Sequence, residues 1–130
     1  MFQDLDVIST YTRAQAIADG VLVDASATAR EAGIRYPVAV TSTVWDSYIV
    51  PDAALSPWGN SADGRLWDVL IMFRYAATHQ QDATLLFSTI FTMARKDGAG
   101  CFQKEVQLKA ICGPGDTADP VITIMLPNED

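Results

Sequence analysis

From Phe102 to Cys112 the chain alternates: Phe102, Val106, Leu108, Ala110 and Cys112 fall on one side, Gln103, Glu105, Gln107 and Lys109 on the other. Strand side chains point to opposite faces with a period of two, so this stretch requires one buried and one solvated face, as in an antiparallel sheet. Its neighbours narrow the choice further. Thr84 to Ala94 is β-branched and aromatic, with Leu85, Phe87, Phe91 and Met93 on one face, and Lys96-Asp97-Gly98-Ala99-Gly100 has hairpin-turn composition. Gly113-Pro114-Gly115-Asp116 turns the chain again, and Val121 to Leu126 is apolar but for Thr123. That last run is a central strand covered on both faces or an edge strand hidden by an oligomer. The three strands form a meander, extended by Val21–Val23 or Val38–Val40.

The rest of the chain reads as helices. Thr12-Arg13-Ala14-Gln15 is a capping box, and Gly20 is placed to end the helix it starts. Asp24 or Ser26 caps a second helix that stops at Gly33, and Thr41, Ser42 or Thr43 starts a third, in which Val44, Trp45, Tyr48 and Ile49 share a face. The fourth, from Arg65 to Thr78, carries the stripe Leu66, Val69, Leu70, Phe73 and Ala77, widened by Trp67 and Ile71, with Arg65, Asp68, Arg74 and Thr78 opposite. The predicted fold is therefore a single α+β domain over residues 1–130. An antiparallel meander (about 84–94, 102–112, 121–126) carries helices (about 12–19, 26–32, 42–49, 65–78) on one face.

An apolar fraction of 49% over 130 residues is enough for a buried core. Val69 to Phe73, the longest apolar run, falls far short of the ~20 residues that a membrane span needs. Met1 to Asp6 also lacks the basic head and apolar stretch of a signal peptide, so the expected location is the cytosol. Cys101 and Cys112 bracket one strand at about 3.3 Å per residue, which places their Cα atoms far outside the ~7 Å reach of a disulfide. Both are expected as free thiols.

Sixteen carboxylates against nine Lys and Arg give a formal charge of −7. Such a chain has no basic stripe with which to bind nucleic acid directly, but its surface can occupy the basic groove of a nucleic-acid-binding protein. One His and two Cys at wide spacing do not make a zinc site, the Asp residues do not repeat at ligand spacing, and no cofactor is expected. His79, the lone histidine, sits where the fourth helix ends and an imidazolium is favoured. Pro114 removes an N–H that a phosphate-binding turn would use. No catalytic set emerges. Recognition is better served: Trp58 stands in the longest irregular stretch, Val50 to Gly64, and with Asp52, Asp63, Asp116 and Asp119 makes the candidate surface for a protein partner. The oligomeric state stays open, a homodimer included.

Tyr11-Thr12-Arg13-Ala14-Gln15-Ala16-Ile17, Asp19-Gly20-Val21-Leu22-Val23-Asp24, Val44-Trp45, Gly64-Arg65-Leu66-Trp67-Asp68-Val69-Leu70 and Cys112-Gly113-Pro114-Gly115-Asp116 resemble a family of short, acidic, uncharacterised proteins carried on bacterial plasmids and other mobile elements. The resemblance spans most of the chain and implies a genetic setting, not an activity. In that setting the expectation is a non-enzymatic binding protein, an acidic inhibitor of a host defence or nucleic-acid-processing complex of anti-CRISPR or antirestriction type. Tyr11-Thr12 followed by Ile17 and Gly20 faintly resembles the start of ADP-ribosyltransferase-like domains. This implies, as the alternative, a small enzyme or ligand-binding domain with a pocket at Tyr11, Arg13 and Asp24 near the first helix. The departure is that no His stands beside Tyr11.

Overall fold

A computed structural model of the chain describes residues 11–52, 55 and 60–129. In chain order the elements are α1 (Arg13–Ala18), β1 (Leu22–Asp24), α2 (Ser26–Glu31), β2 (Val38–Thr41), α3 (Ser42–Val44), a π-helical turn (Trp45–Ile49), α4 (Ala62–Ala77), β3 (Thr84–Ala94), β4 (Cys101–Pro114) and β5 (Pro120–Met125). One five-stranded sheet runs β1-β2-β5-β4-β3. The meander β3-β4-β5 is antiparallel, and β1 and β2 do extend it. However, β2 lies parallel to β5, Val38 opposite Ile122, so the sheet is mixed and the fold α+β. That pairing makes β5 the central strand, which fits a run that is apolar except at Thr123. Among the described residues no helix is long and apolar enough to cross a membrane.

The core lies on one face of the sheet. Leu85, Phe87 and Phe91 of β3 and Val106, Leu108 and Ala110 of β4 point into it, as their alternation requires, with Ile122, Ile124, Val38 and Val40 beside them. α2 offers Ala25, Ala29 and Ala32, and α4 offers Leu66, Val69, Leu70 and Phe73, whose ring meets Phe87 edge-on at 5.9 Å. Each large apolar side chain so covered contributes about 1.5–3 kcal/mol. Phe102 is an exception. The β3–β4 hairpin reaches past the helices, so Phe102 is exposed under the Arg95 guanidinium, 6.0 Å from its ring.

Helix boundaries follow their caps, with corrections to the sequence reading. α1 has the full capping box: Thr12 Oγ1 accepts from Gln15 N–H at 3.0 Å, and Gln15 Oε1 from Thr12 N–H at 2.9 Å. Neither Asp24 nor Ser26 is the N-cap of α2. That position is Ala25, while Asp24 Oδ1 accepts from Ser26 N–H and Oγ–H, and Ser26 Oγ in turn accepts from Val38 N–H at 3.1 Å, fastening α2 to β2. The third helix widens after Val44, where Val50 N–H reaches back five residues to Trp45 O at 3.0 Å. In a regular helix Val44 and Ile49 would diverge; the wider turn lets both be fully buried. α4 begins three residues before Arg65, because Ser61 Oγ accepts from Gly64 N–H at 3.1 Å. Its polar side is also revised. Trp67 is exposed, and Arg65 is only 5% exposed.

α1 takes the other face of the sheet. Thr123 lies between the core residues Ile122 and Ile124 and points away from them; Arg13 Nη1 donates to its Oγ1 at 2.7 Å and Nη2 to Ile122 O at 2.7 Å. The turn after β4 closes on the same helix. Asp116 Oδ1 accepts from Arg13 N–H at 2.6 Å and Oδ2 from Ala14 N–H at 3.0 Å. Cys101 and Cys112 are free thiols in β4, eleven positions apart.

Candidate functional site

β3 is the long free edge of the sheet, and its backbone groups sort by register. Cys112 N–H donates to Ala83 O at 2.7 Å, which with Thr84 opposite Ile111 makes the odd-numbered residues of β3 those bonded to β4. In an antiparallel ladder the alternate residues turn N–H and C=O outward. Here they are Thr84, Leu86, Ser88, Ile90, Thr92 and Ala94. Two outward carbonyls are occupied: Gln80 Nε2 donates to Leu86 O at 3.1 Å, and Arg65 Nη2 donates to Thr92 O. Between these two clasps the outward groups of Ser88 and Ile90 meet no partner among the described residues.

A groove of about 590 Å³ follows this window. One wall is α4, which presents Trp67, Ile71, Met72 and Tyr75; the other is β3, with Leu86 and Ile90. Tyr75 is 63% exposed and Ile90 59%. Large apolar side chains gathered at one place and rimmed by polar groups mark interaction surfaces more often than scattered ones do. Thr89 adds an unsatisfied group: it lines the groove, is 2% exposed, and its hydroxyl has no hydrogen-bond partner. The full charges that line the groove among the described residues are Asp68 and Glu105.

Both clasps have clear physical causes. Arg65 is held by α4 beneath the sheet edge, its guanidinium 5.6 Å from the Phe91 ring centre and its Nη1 donating to Tyr48 O at 2.7 Å. Burial pulls its pKa below the ordinary guanidinium value. Gln80 follows the end of α4. There the His79 ring lies against Tyr75, tilted by 45° with centroids 4.8 Å apart, and its Nδ1 is 3.0 Å from Tyr75 O and 2.9 Å from Thr78 Oγ1. The Thr78 hydroxyl proton goes to Tyr75 O at 2.6 Å, so the lone histidine finishes a helix.

The residues singled out in the sequence are dispersed. Trp58 lies outside the described residues. Asp116 and Asp119 sit at the β4–β5 turn beside α1, where Asp116 caps the helix. Asp63 is in the first turn of α4, and Asp52 lines a small cleft with Asp46 and Arg65. Tyr11 and Arg13 do border a second concavity of about 610 Å³ over the outer face of the sheet. Their polar atoms are already engaged: Tyr11 Oη–H donates to Asp19 Oδ2 at 2.6 Å, a bond that raises the phenol pKa, and the Arg13 guanidinium is bound to β5. Burial lowers the Arg13 pKa, against the pull of Asp24 and Asp116. Asp24 itself is bonded to Ser26. Among the described residues no three His, Cys, Asp or Glu side chains gather where they could hold a metal ion.

The sequence pattern hides the groove, because Trp67 and Ile71 read as part of the α4 core stripe and Leu86 and Ile90 alternate with the core-facing Leu85, Phe87 and Phe91. One signal was available. Thr84 to Ala94 contains no charge, Pro or Gly and has apolar residues on both faces, which is unusual for an edge. A family model described as a family of unknown function (DUF6573) matches residues 1–130. No curated protein and no solved structure matches the chain.

Proposed function

The chain belongs to that family of unknown function, and we propose that it is a non-enzymatic binding protein. It takes an extended segment of a partner protein along the β3 edge as a sixth strand. The observation that carries this reading is the open window at Ser88 and Ile90, set between two side-chain clasps and walled by the exposed apolar residues of α4. Strand addition draws affinity from main-chain bonds and specificity from pockets for alternate side chains, and this edge offers both.

Selection of peptides from a random display library on the immobilised protein tests the reading. Ser88→Pro removes an outward N–H that no described residue uses, and edge strands tolerate proline in that orientation. Selected peptides should lose binding to the variant and should slow amide exchange at Ser88 and Ile90 in the wild type. Peptides that bind both proteins equally would refute it. A narrower form, an acidic inhibitor of a host nucleic-acid-processing complex encoded by a mobile element, is supported by the charge of −7. Titration into restriction-nuclease and CRISPR-effector cleavage assays tests that form; unchanged cleavage would leave only the general binding role.

A further inference from the structure

Resting on the strand-addition reading, we infer that the occupant of the β3 groove is a segment of about five residues in which apolar side chains alternate with Lys or Arg. The length follows from the clasps. Gln80 and Arg65 occupy the outward carbonyls of Leu86 and Thr92, so two consecutive open positions, Ser88 and Ile90, lie between them, while beyond each clasp only one outward residue of β3 is left, Thr84 or Ala94. Side chains of that strand alternate between the α4 side and the outer face of the sheet. On the α4 side they meet Trp67, Ile71, Met72 and Tyr75, which calls for apolar residues.

The outer face differs. Ile90 is exposed there, and Glu105 stands directly opposite it on β4. A Lys or Arg projecting from the added strand lays its methylene stem across Ile90 and brings its charged head to Glu105. Asp68, on the α4 rim, attracts a second cation. No Lys or Arg lines the groove among the described residues, and the whole chain carries −7, so an acidic segment meets like charge locally and at long range. The same field acts against a second copy of this chain.

Fluorescence anisotropy with three labelled peptides, alternating Lys-Val, Ser-Val and Glu-Val, against the full chain tests this. The Lys-Val peptide should bind most tightly and lose affinity as ionic strength rises past about 0.15 M. Glu105→Gln and Asp68→Asn should each weaken it about threefold to fivefold. Ser88→Pro keeps the net charge, so general attraction to an acidic surface would survive it, whereas binding in the groove is lost. Because that variant could fail to fold, a Lys-Val peptide N-methylated at alternate residues is tested on the wild type and should not bind. Equal affinity for the Lys-Val and Ser-Val peptides overturns the charge inference and leaves strand addition standing. Binding that survives both Ser88→Pro and N-methylation overturns strand addition as well. Sedimentation showing a dimer that Ser88→Pro dissociates would make the occupant a second copy and overturn the proposal.

Discussion

Arg65 shows how far position can outweigh chemistry. Its charge suggests a surface, but it precedes Leu66 and lies four residues before Val69, on the stripe that α4 turns to the core. A buried guanidinium is tolerable only when it is hydrogen-bonded, and Arg65 spans Tyr48 O and Thr92 O, joining the π-helical turn to the sheet edge. Arg65→Met preserves the stem but strands both carbonyls, and urea denaturation should show a loss of about 2–4 kcal/mol. Arg65→Lys should recover only part of it, since one ammonium lacks the planar fork that reaches both acceptors. A loss below about 0.5 kcal/mol for the Met variant would contradict this role. Thr89 gives the opposite sign. Its buried hydroxyl is unpaired, so Thr89→Val, nearly equal in shape, should raise the stability of the free protein by about 1 kcal/mol in the same assay.

At the scale of elements, α1 tests how a short helix is kept. Six residues cannot sustain a helix alone. Its capping box is local, but Asp116 and the Arg13 bonds to β5 come from the far end of the chain. Asp116→Ala should therefore cost about 1–2 kcal/mol and speed amide exchange at Arg13 and Ala14, with the β4 amides unaffected. Uniformly faster exchange across the sheet would mean that the turn, not the helix, depends on Asp116. The contrast also marks where sequence reading stops. β3, β4, β5 and the capping box were legible because period-two alternation and a Thr-x-x-Gln spacing are local signals. The parallel register of β2 on β5 and the Asp116 cap depend on partners scores of residues away, which no local pattern encodes, and the widened turn at Trp45, though local, serves the burial of Val44 and Ile49 in the core. The groove was hidden for the same reason. Leu86 and Ile90 look like any strand's second face until β3 is known to be an edge.

The whole molecule is asymmetric in how it ends its sheet. β1, three residues long, closes one side next to α1, while the other side presents eleven residues of uncharged β3. Long uncharged edges invite pairing, and under the strand-addition proposal the charge of −7 would disfavour a second copy and favour a partner of opposite sign. Stability also depends on pH, and one half-buried thiol should contribute at the alkaline end. Burial in the sheet pushes the Cys112 thiol above its ordinary pKa. The folded chain thus holds a proton that the unfolded chain releases more readily. Stability is fully present below the ordinary thiol value of about 8.5 and declines as pH rises through the folded value, because the unfolded state gains by ionising first. Urea midpoints measured at pH 7, about 9 and about 10 should fall for the wild type. Rising net negative charge contributes to that fall in every variant, so the informative quantity is the difference from Cys112→Ser, which cannot ionise and should fall less steeply. Parallel pH profiles for the two proteins would show that the Cys112 thiol is not shifted by burial, and the alkaline limit would then belong to the net charge alone.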